Sequence, residues 1–221
     1  MNLKKEAAEY ATKYVKDGQV VGLGTGSTAA YFIKKLGEKV REEELDIIGI
    51  PTSYDSILLA QNEGILTSTL DIYDVDIAID GADAINPDLD LIKGGGAAHT
   101  IEKIIDNAAK EFYVIADESK YMDDLSDCAI PLEVIPSATR IVLRTLEEMG
   151  AEPLLRMGVN KAGPVVSDNG NFIIDAKFST ISDASSLESN LNLIPGVVEN
   201  GLFIEMADKA IIGTKDGIKE Y

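Results

Sequence analysis

The feature that most constrains the fold is a repeated alternation of short apolar segments with helical patterns. Apolar segments at 19–23, 46–50, 65–67, 75–79 and 112–116 read as strands. Stretches with apolar residues at helical spacing lie among them, at 3–15, 27–36, 53–63 and 98–109. Strands that are apolar throughout and alternate with helices are typical of a parallel sheet covered on both faces. The sequence therefore predicts an α/β fold here.

The pattern changes near Cys128, where the predicted order becomes strand, helix, strand, strand, helix, strand. This order is the split βαβ arrangement of a ferredoxin-like domain. The last apolar stretch, 210–213, is expected to return to the first domain. We therefore predict a Rossmann-like parallel-sheet catalytic domain over 1–127 and 203–221, with a smaller ferredoxin-like α+β lid or oligomerisation domain over 128–202.

Composition excludes several classes of function. A net charge of −18, from 38 acidic and 20 basic side chains, opposes binding to nucleic acids and anionic membranes. Cys128 is the one cysteine, so no internal disulfide can form, which suits a reducing compartment. The apolar runs are far shorter than the roughly 20 residues that cross a bilayer, and charged residues follow the N-terminus directly. We expect a cytoplasmic protein without a membrane partner.

A glycine-rich segment, Gly24, Thr25, Gly26, Ser27 and Thr28, joins the first predicted strand to a predicted helix. In a parallel sheet this is where ligands bind. Small residues let the backbone approach an anion, and the helix N-terminus offers N–H groups and hydroxyls to a phosphate. The segment matches neither the P-loop nor the full dinucleotide fingerprint. We expect a phosphate site without a nucleotide cofactor, with an ordinary tight turn as the alternative.

An acidic segment, Asp80, Gly81, Ala82 and Asp83, comes directly after the predicted strand 75–79. Both carboxylates are therefore expected on a flexible turn, at the same sheet edge as the glycine-rich segment. Asp-Gly is also an ordinary turn dipeptide, so a purely structural turn is the alternative.

A third segment, Lys93, Gly94, Gly95 and Gly96, precedes the predicted helix that carries Glu102. Three consecutive glycines are costly to order, a cost that is understandable where a ligand lies against bare backbone. Lys93 would offer its charge to a developing oxyanion, and Glu102 would reach over from the helix. The alternatives are a flexible hinge for the glycines and a solvated surface carboxylate for Glu102.

The chain has a single histidine, His99, so a metal site built from several histidines is excluded. We expect His99 to be a polar residue at the surface or at the rim of the site. The remaining carboxylates, lysines, hydroxyls and backbone N–H groups suit proton transfer next to a carbonyl rather than redox chemistry.

In order and spacing, the motifs resemble those of type A ribose-5-phosphate isomerases. They are the segments 24–28, 80–83, 93–96, 102–103 and 116–120. The resemblance extends nearly end to end and includes 134–136, 168–171, 194–198 and 212–214. It implies a Rossmann-like domain with a ferredoxin-like domain, a homo-oligomer and no metal or organic cofactor. The implied activity is interconversion of the sugar phosphates ribose 5-phosphate and ribulose 5-phosphate in the non-oxidative pentose phosphate pathway.

The resemblance also implies a role for each motif residue. Glu102 would be the base that moves a proton between carbon 1 and carbon 2 through an enediolate. Asp80 and Asp83 would assist ring opening and handle hydroxyl protons. Lys93, with the backbone of 94–96, would stabilise the enediolate oxygens. The further residues implied to bind substrate are Thr25, Gly26, Ser27, Thr28, Gly81, Ala82, Gly94, Gly95, Gly96 and Lys120, with Lys4 as an added phosphate contact.

The chain departs from the common family pattern at two places. Ala84 stands where Glu often follows the second Asp, and His99, Thr100 and Ile101 stand where Leu-Thr-Arg is common. Neither change removes an implied catalytic group, but both bear on the placement of the substrate.

Three alternatives remain open at this stage. An amino-sugar phosphate isomerase/deaminase, or a lactonase of phosphorylated sugar acids, would be expected to use a histidine near its site. A sugar-phosphate-sensing module of a transcription regulator would be expected to carry a basic helix-turn-helix, which this acidic sequence lacks. A coenzyme A transferase-like protein with Glu102 as nucleophile would need a nucleotide site.

Overall fold

The computed structural model describes residues 2–43, 45–126 and 128–221. These residues form two compact units. The first unit contains the chain up to Ala82, then Ile101–Tyr121 and Glu205–Tyr221. The second contains Asp83–Thr100 and Met122–Ile204.

The helices begin close to their predicted starts. They are α1 (Leu3–Ala11), α2 (Ser27–Glu43), α3 (Tyr54–Asn62), α4 (His99–Ala108), α5 (Thr139–Glu148) and α6 (Ala184–Asn192). However, α2 extends seven residues past the predicted end at 36, and α1 ends at Ala11 rather than at 15. Over the three ranges that the structure describes, no helix combines the length and apolarity needed to cross a membrane.

The strands of the first unit are β1 (Val20–Leu23), β2 (Ile48–Pro51), β3 (Leu66–Thr67), β4 (Ile77–Gly81), β7 (Phe112–Asp117), β13 (Lys209–Thr214) and β14 (Gly217–Glu220). Those of the second are β5 (Ala84–Ile85), β6 (Leu91–Ile92), β8 (Ala129–Val134), β9 (Glu152–Leu155), β10 (Phe172–Lys177), β11 (Val197–Asn200) and β12 (Leu202–Phe203).

The first unit is built on one sheet with the order β14-β13-β7-β4-β1-β2-β3. All neighbouring strands run parallel except the pair β13 and β14. The chain passes from β1 outward to β2 on one side and from β4 outward to β7 on the other. The boundary between β1 and β4 is therefore the topological switch point, where open parallel sheets bind their ligands. The predicted α/β class is confirmed.

The helices of the first unit begin where polar side chains can satisfy their first N–H groups. The Asn2 side chain accepts a hydrogen bond from Lys5 N–H, and Ser53 forms a reciprocal capping box with Ser56. Each such cap contributes about 1 kcal/mol. The core between helices and sheet is apolar and includes Ala8, Ala11, Val21, Leu23, Phe32, Ile33, Leu36, Ile77, Ile79 and Ile211.

The hairpin of β13 and β14 is joined to the first helical segment through Glu220. The Glu220 carboxylate accepts hydrogen bonds from the Tyr10 hydroxyl at 2.6 Å, the Tyr14 hydroxyl at 2.7 Å and the Lys13 ammonium at 3.0 Å. These hydrogen bonds, with that of Tyr10 the strongest, lower the pKa of Glu220 to about 2.

The second unit contains an antiparallel sheet with the order β11-β8-β10-β9, packed against α5 and α6. This is the strand order of a ferredoxin-like α+β domain, as predicted. Its core includes Leu132, Val134, Val142, Leu146, Ile174, Ala176 and Leu191. A small sheet with the order β12-β6-β5 belongs to the same unit. The segment Asp83–Thr100, which the sequence places in the first domain, thus makes its contacts within the second unit.

Candidate active site

The glycine-rich segment and Asp80 meet at the switch point. Thr25 N–H donates to Asp80 Oδ1 at 3.0 Å, and Gly81 N–H donates to the same oxygen at 2.6 Å. Asp80 is completely buried and lies inside β4, which continues through Gly81. The prediction that Asp80 sits on a flexible turn is therefore wrong. Strand pairing with β7 continues past Ile79 and holds the carboxylate rigidly.

At two positions of this segment the structure requires glycine. A Cβ at Gly24 would overlap the Asp80 carboxylate and backbone. Only glycine therefore allows the turn that follows β1 to lie this close to Asp80 on β4. Gly26 has φ +101°, a conformation that side-chain-bearing residues rarely adopt. Gly26 and Ser27 are exposed, which leaves the start of α2 accessible from solvent.

Positive charge gathers near the start of α2. Lys4 Nζ donates to Ser27 Oγ at 3.2 Å. Lys120 lies in the short 3₁₀ turn that follows β7, the strand beside β4. Burial raises the pKa of Asp117, but hydrogen bonds from Ser119 and the charges of Lys4 and Lys120 outweigh it and leave that pKa below its ordinary value. Both lysines are thus close enough to influence one carboxylate at this sheet edge.

Two further hydroxyls at this edge were not predicted. Thr25 Oγ1 lies 2.7 Å from Thr52 Oγ1 and 2.7 Å from Ser53 Oγ. Thr52 and Ser53 follow β2, so they leave the same edge of the sheet as the glycine-rich segment. Their position after a buried strand was the available sequence signal. Their hydroxyls hold the Thr25 side chain in place through these two hydrogen bonds.

Glu102 lies in the first turn of α4 and is only 5% exposed. Lys110 N–H, just past the helix, donates to Val75 O at the amino end of β4, so α4 runs antiparallel to the strands. One turn after Glu102, on the same helix face, Ile105 packs so closely that a Cβ at Gly22 would lie 3.0 Å from its Cγ2. Glu102 therefore faces the sheet, toward the edge that holds the switch point.

The second unit holds the other predicted residues. Gly95 N–H donates to Asp83 Oδ2 at 2.7 Å, which brings two of them together. Lys93 is 2% exposed, its N–H donates to Gly201 O, and its ammonium lies 5.4 Å from the centre of the Phe203 ring. A lysine held in a low-dielectric setting exerts a stronger field than one in water.

His99 is fully buried, so its predicted place at the surface or rim is wrong. Its Nε2 lies 3.3 Å from Glu199 O, and a Cβ at Gly94 would lie 2.6 Å from its Nδ1. The imidazole thus fills the space beside the missing side chain of Gly94. Packing of the glycine segment, which the sequence does not reveal, decides this placement.

Glu133 on β8 forms a buried polar network that the sequence analysis missed. Its carboxylate accepts hydrogen bonds from Thr100 Oγ1 at 2.5 Å, Ser167 Oγ at 2.8 Å and the side-chain amides of Asn169 and Asn171. Burial raises the pKa of Glu133, but these hydrogen bonds outweigh it and leave the pKa below its ordinary value. An ionised carboxylate thus accepts a hydrogen bond from Thr100, the second residue of α4. A charged residue inside an apolar strand was the signal.

Each unit therefore gathers part of the predicted set. The first brings Thr25, Thr28, Asp80 and Gly81 together and holds Gly26, Ser27, Lys120 and Glu102 at the same sheet edge. In the second, Asp83 contacts Gly95, while Lys93 and Gly94 are buried and Gly96 is exposed. Ala82 is half-buried where β4 ends. Among the residues described, no group of His, Cys, Asp or Glu side chains is arranged to hold a metal ion.

The fold and these groups define an α/β protein with a glycine-rich turn at the switch point of a Rossmann-like sheet and a ferredoxin-like second unit. Residues 48–217 match the family model of ribose 5-phosphate isomerase A (phosphoriboisomerase A). The chain belongs to this family. It is 56% identical to ribose-5-phosphate isomerase A of Methanothermobacter thermautotrophicus, over 99% of this chain and 97% of that protein.

Solved structures agree with this assignment. The structure of ribose 5-phosphate isomerase A from Methanocaldococcus jannaschii has a TM-score of 0.96 at 55% identity, covering 99% of this chain and 97% of its own. A D-ribose-5-phosphate isomerase in complex with phospho-erythronic acid has a TM-score of 0.97 at 51% identity, covering 100% and 99%. The enzyme from Plasmodium falciparum, at 32% identity, has a TM-score of 0.94 and covers 99% and 97%.

Proposed function

We propose that this chain is an aldose–ketose isomerase that interconverts D-ribose 5-phosphate and D-ribulose 5-phosphate through an enediolate. The observation that carries the proposal is the junction of β1 and β4, where the Thr25 N–H is bonded to the buried Asp80 carboxylate. An anion-binding helix start and a fixed carboxylate at one switch point suit a phosphorylated sugar. Relatives that match nearly the whole chain carry the same activity in their names.

Glu102 is the proposed base. In the open-chain aldose it takes the proton from carbon 2, and the electrons of that bond form the enediolate. Returning the proton to carbon 1, while the hydroxyl proton moves from oxygen 2 to oxygen 1, gives the ketose, so one carboxylate serves both carbon steps and no redox partner is consumed. A buried carboxylate on a helix facing the switch point is suitably placed for this work.

The negative charge of the enediolate requires preorganised donors. We assign this role to the Lys93 ammonium and the backbone of Gly94, Gly95 and Gly96. Asp80 and Asp83 are assigned to ring opening and to hydroxyl protons. The bond from Gly95 N–H to Asp83 supports a common task for this carboxylate and the glycine segment. Fixed donors of this kind contribute about 3 kcal/mol each to the transition state.

The phosphate is assigned to Thr25, Gly26, Ser27 and Thr28, at the start of α2, and to Lys120. Lys4, which bonds Ser27 at 3.2 Å, adds a second cation. Gly81 and Ala82 are assigned to the sugar, beside the glycine-rich segment. Binding a group remote from the reacting carbons supplies energy that orients the open-chain sugar.

We expect Lys120→Ala to raise KM for ribose 5-phosphate about tenfold and to change kcat less than threefold, because one charge-assisted phosphate contact is lost. Steady-state kinetics at fixed ionic strength measure both constants. Lys110→Ala is the matched control, since Lys110 is an exposed lysine paired with Asp76 at the opposite end of the sheet. An unchanged KM in Lys120→Ala would contradict the assignment of the phosphate.

We assign the protein to the cytoplasm and the non-oxidative pentose phosphate pathway, with no metal or organic cofactor and no nucleic-acid or membrane partner.

We also propose a homo-oligomer, dimer or tetramer. Three apolar side chains at one sheet edge are 58–97% exposed: Leu154 on the edge strand β9, and Met157 and Val159 just beyond it. Apolar edges of this kind are commonly covered by a second copy of the chain.

The test is to treat the purified chain with a chelator, add ribose 5-phosphate and follow the formation of ribulose 5-phosphate. We expect conversion in both directions at rates that added divalent metal does not increase. A chain that binds ribose 5-phosphate, as seen by a raised melting temperature, but does not convert it would instead be a sensing module.

A further inference from the structure

The segment that joins β6 to α4 has a costly backbone conformation. Gly94 has φ +107°, and Ala97, which bears a side chain, has φ +62°. The turn is closed by Ala97 N–H, which donates to Gly94 O at 3.0 Å. Backbone of this kind persists only where its surroundings fix it. Something in the second unit must therefore hold this turn in place.

The surroundings that fix it include a partly buried ion pair between Arg156 and Asp175. Arg156, directly after β9, donates from one terminal nitrogen to Gly94 O at 2.9 Å and to Gly95 O at 3.1 Å. Its Nε and its other terminal nitrogen bind the two oxygens of Asp175 on β10. The two side chains are 19% and 23% exposed. Asp175 thus orients the guanidinium, and the guanidinium donates hydrogen bonds to two consecutive carbonyl groups.

These two hydrogen bonds determine the direction of the N–H groups of Gly95 and Gly96. In a trans peptide the C=O and the following N–H lie on opposite sides of one plane. With the carbonyls of Gly94 and Gly95 turned to Arg156, the N–H groups of Gly95 and Gly96 face away from it. The Gly95 N–H shows this direction directly, because it donates to Asp83 Oδ2 at 2.7 Å.

We propose that Arg156, aimed by Asp175, is a positioning residue that holds the Gly95 N–H on the Asp83 carboxylate and turns the Gly96 N–H toward an oxygen that becomes negative in the enediolate. The inference rests on the proposed function and deepens it. Only a planar fork can bind one carboxylate and two carbonyls at once, so lysine cannot replace arginine here. Without the hydrogen bonds from Arg156, the glycine segment is free to rotate its peptides and to turn the Gly96 N–H away.

The experiment compares Arg156→Lys and Arg156→Ala with wild type in ribose 5-phosphate turnover. We expect kcat to fall about 100-fold in both variants, as for loss of a fixed oxyanion donor. KM is expected to stay within threefold, because the assigned phosphate groups lie in the first unit. Arg144→Lys is the matched control: this arginine forms an exposed pair with Glu148 in the same unit and should leave both constants unchanged.

Two readouts separate positioning from simple damage to the fold. A phosphorylated aldonic acid, whose carboxylate imitates the enediolate oxygens, should bind Arg156→Lys at least tenfold more weakly, while inorganic phosphate binds as to wild type. Added guanidinium chloride, at millimolar concentration, should restore part of kcat in Arg156→Ala. A cavity of about 380 Å³ lined by Gly95, Arg156 and Asp175 gives this ion access.

The outcomes are distinct. A kcat within threefold of wild type in Arg156→Lys would overturn the inference and leave the proposed function intact. Equal losses of phosphate and aldonic acid binding, with a lowered melting temperature, would also overturn it, because they indicate a merely structural role. A wild type that does not convert ribose 5-phosphate would overturn the proposed function and this inference with it.

Discussion

Glu102→Gln is expected to lower kcat for ribose 5-phosphate by about 10²- to 10⁴-fold, the usual contribution of a positioned base. The substitution keeps the size and shape of a side chain that is only 5% exposed, but an amide cannot take the proton from carbon 2. KM should change little, since the assigned phosphate groups are untouched. Steady-state kinetics give both constants.

Deuterium exchange sharpens the test. In D₂O, wild type should exchange the transferred hydrogen with solvent during turnover, and Glu102→Gln should lose exchange and turnover together. Glu38→Gln, a change at an exposed carboxylate on α2, serves as control and should behave as wild type. Retention of more than a tenth of wild-type kcat in Glu102→Gln would rule out this residue as the base.

Glu133→Ala is expected to lower the melting temperature by about 6 °C or more, corresponding to about 3 kcal/mol of lost stability. The loss arises because Thr100, Ser167, Asn169 and Asn171 would keep buried donors without their common acceptor. Thermal unfolding followed by circular dichroism measures it. Glu152→Ala, which removes an exposed carboxylate from β9, should shift the melting temperature by less than about 1 °C.

The charge of Glu133 also leads us to expect that the free energy of unfolding depends on pH. The pKa of the Glu133 carboxylate in the folded protein lies below the ordinary 4.5, so its ionised form is favoured by folding. This contribution is fully present above about pH 4.5 and is lost as the pH falls through the folded-state pKa. The stability gap between wild type and Glu133→Gln should therefore be constant at neutral pH and narrow in acid. A gap that does not depend on pH would show that the charge of Glu133 contributes nothing.

Local sequence patterns predicted the fold well. The apolar strands and amphipathic helices were correctly ordered in both units because burial on both sheet faces demands continuous apolar runs. The glycine-rich segment was correctly placed between β1 and α2, since its composition has a local cause. The two-residue strands β5 and β6 were missed, because so few residues carry little pattern, although β3, which is equally short, lies within the predicted segment 65–67.

The parts of the candidate site that were wrong or missed depend on contacts distant in sequence. Asp80 looked like a turn residue, yet its pairing with Val114 of β7 keeps it in a strand. His99 looked like a surface residue, yet the absent side chain of Gly94 makes room for its ring. Arg156 stands 61 residues from Gly95, and nothing near it in the sequence announces a partner. The roles of the motif residues themselves stay predictions.

The way the chain divides between its units has a consequence for synthesis on the ribosome. The second unit is completed by Ile204, whereas the first still lacks 205–221, which supply β13 and β14. Until those residues emerge, β7 is an uncovered edge in an otherwise parallel sheet, and Glu220 cannot yet join the hairpin to α1. The nascent protein thus completes its ferredoxin-like part first and carries an unpaired strand edge until 205–221 emerge, a stage at which aggregation and chaperone capture compete with folding.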